Sequence, residues 1–283
     1  MKRSLILLFL VATALPLACG GGEQLSPEAA VAEAATKSQA AGSSRVALEL
    51  TMTGVAAEPL RITGEGIQDP EQQLAGFTMD LSQVAGLTGG GVDLGEIEMV
   101  LDGSTLYMRL PFLEASDLKP WIEVDVAAIA EQEGLDLPSL QQLGQADPAL
   151  TFAYLRAASD DTQEVGTEDV RGVETTHYRM TVDLARVADA VPEEQREEMR
   201  AAVQALIEAT GLDTVPVDAW IDGDGLVRRM DLAYEDIEVA PGKKGSMSMS
   251  MQLYDYGVDV AVEPPPADQV MSFQELLELG GEG

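Results

Sequence analysis

The stretch Val217–Glu235, VDAWIDGDGLVRRMDLAYE, decides how this chain folds. Asp222-Gly223-Asp224-Gly225 stands between two strand-like runs, and Asp-Gly between alternating runs is a strong short-range hairpin signal. Before the turn, Val217, Ala219 and Ile221 alternate with Asp218, Trp220 and Asp222. After it, Leu226, Met230, Leu232 and Tyr234 share one parity, and Val227, Arg229, Asp231 and Ala233 take the other. Such alternation describes a long hairpin with one buried face. Asp-x-Asp-Gly also opens an EF-hand calcium loop, but that loop closes with Glu at its twelfth position, where this chain has Ala233. The tetrad therefore reads as a tight turn.

The same period recurs outward from the hairpin. Arg45–Thr53 places Val46, Leu48, Leu50 and Met52 on one face. Arg61–Gln68 has Ile62, Gly64 and Gly66 on its inner parity, and glycines there imply curvature or a close backbone approach. Phe77, Met79 and Leu81 alternate with Thr78 and Asp80. Ile97, Met99 and Leu101 run into Asp102-Gly103, a second hairpin turn, and leave it through Leu106, Met108 and Leu110. Lys119–Val124, Thr162–Asp169 and Val173–Val182 add three strands, the last with Tyr178, Met180 and Val182 on one parity. Beyond the hairpin, Gly245–Gly257 sets Met247, Met249, Met251 and Leu253 against three serines, and Pro264-Pro265-Pro266 ends the sheet.

Helical signals are fewer. Ser26-Pro27-Glu28 supplies an N-cap, a proline at the first helical position and an acidic first turn, with Gly42 as the stop. Asp125–Gln132, Pro138–Leu143 and Asp147–Ala157 have helical spacing in mid-chain. Pro192–Thr210 carries an apolar stripe of Met199, Val203, Leu206 and Ile207, and Val270–Leu279 reads as a short closing helix. A sheet this wide, with one apolar face, must curl to keep that face from water. The expected fold is α+β: a strongly curved antiparallel sheet, a half β-barrel of about ten or eleven strands, closed on its concave side by several helices.

Met1–Cys19, MKRSLILLFLVATALPLAC, has a basic Lys2-Arg3 start, an apolar Leu5–Leu15 segment too short to span a bilayer comfortably, and small residues before Cys19. It resembles a bacterial lipoprotein signal with Cys19 as the lipid-modified first mature residue, although Pro16 stands where such signals usually have Leu. Ordinary secretion with a buried or free thiol is the alternative. The expected organisation is a signal peptide at 1–18, a lipidated cysteine and tether at 19–26, one domain at 27–263, and a Pro-rich end and tail at 264–283.

Composition narrows function. A formal net charge of -32 over 283 residues repels phosphate backbones, so nucleic acid is not a partner. One cysteine rules out a disulfide framework and a cysteine metal site in the folded part. The single histidine, His177, falls on the polar parity of its strand and reads as a surface residue. No Gly-x-Ser-x-Gly elbow occurs, and the Gly86–Gly95 loop lacks the Gly-Lys-Ser/Thr ending of a phosphate loop. Met247-x-Met249-x-Met251 could ligate Cu(I) through thioethers, but Met52, Met79, Met99, Met108, Met180 and Met230 also stand on inward parities, which favours a pliable apolar wall. No catalytic residue, cofactor or metal is expected.

Several stretches carry a family resemblance: the leader, Val165-Gly166, Val170-Arg171-Gly172-Val173-Glu174-Thr175-Thr176-His177-Tyr178, Val215–Asp222 with its Trp220-Ile221-Asp222, and a final strand running from Val260 to Pro264. They resemble the actinobacterial LppX/LprG lipoprotein family, whose fold is similar to that of the periplasmic lipoprotein carrier LolA. The resemblance implies a half-open barrel with an apolar cavity for acyl chains, and a role in carrying or presenting lipids or glycolipids across the envelope. It implies a monomer anchored through Cys19 to the outer face of the cell membrane, with an envelope transporter as a further partner. Read onto this chain, the cavity wall would consist of Val46, Leu48, Leu50 and Met52; Phe77, Met79 and Leu81; Ile97, Met99 and Leu101; Leu106 and Met108; Tyr178 and Met180; Met230 and Leu232; and Met247, Met249 and Met251. Methionine-rich walls suit flexible ligands, yet a packed core would use them too. A structural or signalling lipoprotein with a filled core is the alternative, and an envelope hydrolase the more distant one.

Overall fold

The computed structural model describes residues 25–84, 95–116, 118–125, 155–157, 161–191, 193, 196–240 and 242–280. The leader with Cys19, the glycine-rich loop over 85–94 and the first two mid-chain helices lie outside these residues, except Asp125, which ends a strand instead of opening a helix; of the third helix only the end at 155–157 is described.

Helix α1, Pro27–Ala40, opens as its sequence dictates: the Ser26 hydroxyl accepts from the Ala29 N–H at 3.2 Å, and Gly42 leaves the helix at φ 76°. Eleven strands follow the alternating runs: β1 Ser44–Met52, β2 Leu60–Asp69, β3 Leu74–Asp80, β4 Glu96–Asp102, β5 Thr105–Arg109, β6 Trp121–Asp125, β7 Gln163–Val170, β8 Val173–Asp183, β9 Thr214–Asp222, β10 Val227–Ala240 and β11 Lys243–Tyr254. A twelfth, β12 Val270–Ser272, lies where the sequence pattern reads as helix throughout; the helix itself (α5) is Phe273–Gly280. Between the strands sit α2 Pro111–Glu114, α3 Leu184–Val187 and α4 Arg196–Thr210.

The strands form one curved, unclosed sheet in the order β12-β6-β5-β4-β3-β2-β1-β11-β10-β9-β8-β7. Every pairing is antiparallel except β12 on β6, which is parallel. The chain thus builds the sheet from β1 towards β6, then from β7 inwards to β11, which pairs with β1 through eight residue pairs. That closure joins the two halves in the middle of the sheet.

The hairpin that opens the sequence reading is β9–β10. Asp222 accepts at its backbone oxygen from the Gly225 N–H at 3.0 Å, and Gly225 adopts φ 79°, which only glycine takes readily. A register shift between Val227 and Arg229 inserts a bulge. It turns Val227, expected on the polar parity, onto the buried face, where it is 0% exposed.

One core cluster dominates. Val31, Ala34 and Ala35 of α1, Leu184 and Val187 of α3 and Val203 of α4 cover the inward residues of β8–β11 and the start of β1. A smaller cluster, Leu113, Ile122 and Met271, ties α2, β6 and β12 together, with Phe273 and Leu276 of α5 packed on it. Among the described residues no helix is long and apolar enough to cross a membrane.

Candidate functional site

Register fixes which side chains share the apolar face. One row crosses the sheet from Tyr178 through Ala219, Met230, Met251, Leu48, Gly64 and Met79 to Ile97. The next runs from Leu253 through Val46, Gly66, Phe77 and Met99 to Met108. A third links Tyr234, Met247, Met52 and Leu60. The residues assigned to the cavity wall therefore lie on one face, as a period of two requires. Leu81 is the exception, one residue beyond the end of β3, where its N–H bonds the Gly95 carbonyl at 2.8 Å.

That face is not uniform. Val46, Met180, Met230, Leu232 and Met251 are at most 3% exposed and belong to the core that the helices seal. Ile97 is buried as well. Leu48, Leu50, Met52, Phe77, Met79, Met99, Leu101, Leu106, Met108, Tyr178, Met247 and Met249 are half-buried. Tyr178 sits at the margin of the sealed part, where burial pushes its phenol above the ordinary value. The sheet thus has a half over β8–β11 that is packed apart from Met247 and Met249, and a half from β1 to β5 in which Val46, Leu60, Ile62, Ala75 and Ile97 are buried while the other apolar side chains keep partial contact with solvent.

Two glycines shape the second half. A Cβ at Gly64 would meet Met79 Cγ at 3.0 Å, and one at Gly66 would fall well inside van der Waals contact with the Phe77 ring. Both β3 side chains therefore lie across β2 rather than standing upright.

The opposite face is polar and holds an arrangement that periodicity alone misses. His177 is 5% exposed, not a surface residue. Its Nδ1 faces Glu168 Oε1 at 3.1 Å and its Nε2 faces Asp218 Oδ1 at 2.5 Å, while its ring stacks on Trp220 at 4.3 Å between centroids. Arg229 covers Trp220, its guanidinium 4.4 Å from the ring centroid, and pairs with Asp231; Arg179 donates to Asp218 at 3.0 Å. The Trp220 N–H, donating at 3.0 Å, is the main reason the Glu168 carboxyl lies below its ordinary range, with His177 adding to it. Both imidazole nitrogens are taken by carboxylates, so the ring is not free to serve a substrate or a metal. This cluster clamps β7 to β8, β9 and β10.

A half-open depression of about 420 Å³ also lies on the polar face, lined by residues such as Glu49, Thr63, Glu65, Asp80, Glu96 and Arg171. Of the expected wall it includes only Leu48. Its carboxylates make it a poor seat for a hydrocarbon. Among the described residues no group of three or more His, Cys, Asp or Glu side chains could hold a metal.

No family model matches the chain. An uncharacterized 31.2 kDa protein of Streptomyces griseus, encoded between rplA and rplJ, is 33% identical over 164 residues, which cover 58% of this chain and 51% of that one. A Streptomyces coelicolor protein provisionally named a lipoprotein is 27% identical over 127 residues, covering 45% of this chain and 33% of its own length. The chain thus spans about half, or less, of these curated relatives. Among solved structures, LprF from Mycobacterium bovis superposes at a TM-score of 0.50 and 12% identity, over 85% of this chain and 97% of LprF. At that identity the likeness concerns the path of the backbone, and it extends over nearly the whole of LprF. The chain therefore has the fold of the LppX/LprG-type lipoproteins.

Proposed function

We propose that this protein is an envelope lipoprotein, exported by residues 1–18 and anchored through Cys19 to the outer face of the cell membrane, with a single domain from residue 27 that includes β12 and α5, which join the sheet and the smaller core where the sequence pattern predicts a tail from 264. It holds the acyl chains of lipids or glycolipids against the apolar face of β1–β5 and carries or presents them across the envelope. The observation that carries this reading is the division of that face. Helices bury Met230 and Met251 to 1% exposure, whereas Leu50, Met52, Met79, Met99, Leu101 and Met108 on the same face are only half-buried. An apolar strip of this width in partial contact with water is the kind of surface that a ligand covers. A buried methylene contributes ~0.8 kcal/mol, so a long chain gains up to about 10 kcal/mol, comparable with its stability in a bilayer. Exchange between protein and membrane is then nearly balanced, as a carrier requires.

The polar face supports a non-enzymatic role, since its one histidine is saturated by Glu168 and Asp218. The chain acts as a monomer, with a membrane transporter as a further partner. A second reading, a structural or signalling lipoprotein without cargo, draws on the sealed β8–β11 half, where packing already fills the face. Binding of a fluorescent fatty acid to the purified full-length chain separates the two. Saturable binding that Met99→Trp or Leu101→Trp abolishes, with the melting curve unchanged, fits a carrier. Absence of uptake by a well-folded protein favours the cargo-free reading.

A further inference from the structure

We propose that Gly64 and Gly66 set the depth of the acyl-chain seat and that Phe77 and Met79 form its floor, an inference that rests on the acyl-binding reading above. Neither glycine has a positive φ, so neither serves a left-handed turn, although a Cβ would also stand 3.1 Å from the Thr78 carbonyl oxygen at Gly64 and 2.5 Å from the Gly76 carbonyl oxygen at Gly66. Glycine also weakens a strand interior, and β2 places two of them on the same face. What the two positions provide is room. Met79 lies over Gly64 and Phe77 over Gly66, close enough that a methyl group at either site would displace them. Phe77 reaches across β2 as far as the sealed core, which it touches along with Leu48.

The consequence is a change in the relief of the face. In register, Gly64 stands between Leu48 on β1 and Met79 on β3, and Gly66 between Val46 and Phe77. Upright side chains on β2 and β3 would fill this part of the sheet with a ridge. With β2 bare and the β3 side chains laid flat, a trough remains between Leu48 on one side and Met99 on β4 on the other. Neighbouring strands are ~4.8 Å apart, so β1 and β4 stand about 14 Å apart and leave room for more than one extended methylene chain side by side. The trough fits unbranched acyl chains. Methionine adds a pliable floor that can follow chains of different saturation.

The test uses the full-length chain with cis-parinaric acid as reporter, displaced by saturated fatty acids of increasing length or by cholesterol. A methyl group on the floor displaces about one methylene of ligand, so Gly64→Ala weakens long-chain binding roughly fourfold. Met79→Ala deepens the trough and tightens long chains by roughly fourfold or more for each methylene newly buried. The Gly64→Ala/Met79→Ala double variant relieves the Met79 contact, though not that with the Thr78 carbonyl oxygen, and binds long chains more tightly than Gly64→Ala alone. If Gly64→Ala does not fold, Met79→Ala alone decides: tighter binding of long chains supports the assignment, and unchanged binding overturns it. Variants all within twofold of wild type, while Met99→Trp still abolishes binding, overturn the floor but leave the acyl reading standing. Displacement by cholesterol and not by fatty acids overturns the trough. A wild-type protein that binds no fatty acid removes the acyl reading and this inference with it.

Discussion

Asp222 is the residue through which the β9–β10 hairpin is most exposed to a single change. Its Oδ1 accepts from the backbone N–H of Asp224 at 3.0 Å and of Leu226 at 2.9 Å, and its Oδ2 accepts from Arg228 Nε at 2.6 Å. The Asp222 and Arg228 side chains are 4% and 17% exposed, so water replaces neither partner freely. Removing one member of a buried pair costs roughly 3–5 kcal/mol, because the other charge stays behind without a partner. Each backbone N–H left unbonded adds a smaller term, but Asp224 is exposed and water recovers much of its share. Asp222→Ala is therefore expected to lose about 3–5 kcal/mol, a large part of the ~5–15 kcal/mol that holds a domain folded. Asp222→Asn keeps the Oδ1 acceptor for the two backbone N–H groups but puts an amide donor where Arg228 Nε needs an acceptor, so it should lose the ion pair and yet remain about 1–2 kcal/mol more stable than the alanine variant. Equilibrium urea unfolding, with the slope unchanged between variants, reads both values. An alanine variant within ~1 kcal/mol of wild type, or an asparagine variant as damaged as alanine, would refute the reasoning.

Met230 and Met251 face each other across β10 and β11 and are each 1% exposed. Truncating either to alanine should cost about 2–5 kcal/mol, and the double variant should cost less than the sum because the two cavities merge; urea unfolding of all three variants checks this. The buried Ser38 hydroxyl accepts from the Val227 N–H at 2.8 Å, so Ser38→Ala leaves a buried donor unsatisfied and should cost about 1–3 kcal/mol by the same assay. Tyr256 donates to the Val227 carbonyl at 2.6 Å, and burial pushes its phenol well above the ordinary tyrosine value. The native state then keeps a proton that the unfolded chain loses near pH ~10, so stability falls as pH climbs past that value. Tyr256→Phe should flatten the fall in a series of melting temperatures at rising pH.

The fold was legible where one physical cause acts alone. A half-buried strand alternates every second residue, and that period alone places Leu48 with Leu50, Met99 with Leu101 and Met249 with Met251. Turns announced themselves through Asp222–Gly225 and Asp102-Gly103. Features set by tertiary structure were not legible. The bulge after Val227 reverses one parity without leaving a pattern in the sequence. The three residues of β12 are too few to show a period, and their parallel partner Trp121–Glu123 lies about 150 positions away in the chain. His177 has the spacing of an outward residue, and its burial comes from Trp220, Glu168 and Asp218 on other strands. Two tryptophan and histidine positions on one polar parity were the available sign that this parity was not wholly solvated. The wall residues were legible as a face but not as two zones, because the division depends on where α1, α3 and α4 come to rest.

The central claim is that the half-buried face of β1–β5 carries lipid. The direct measurement is extraction and mass spectrometry of the protein purified from its native host without detergent. The account predicts about one acyl lipid per chain, lost from Met99→Trp and Leu101→Trp variants that remain folded. A protein that emerges empty, stays folded and takes up no lipid from vesicles would contradict it.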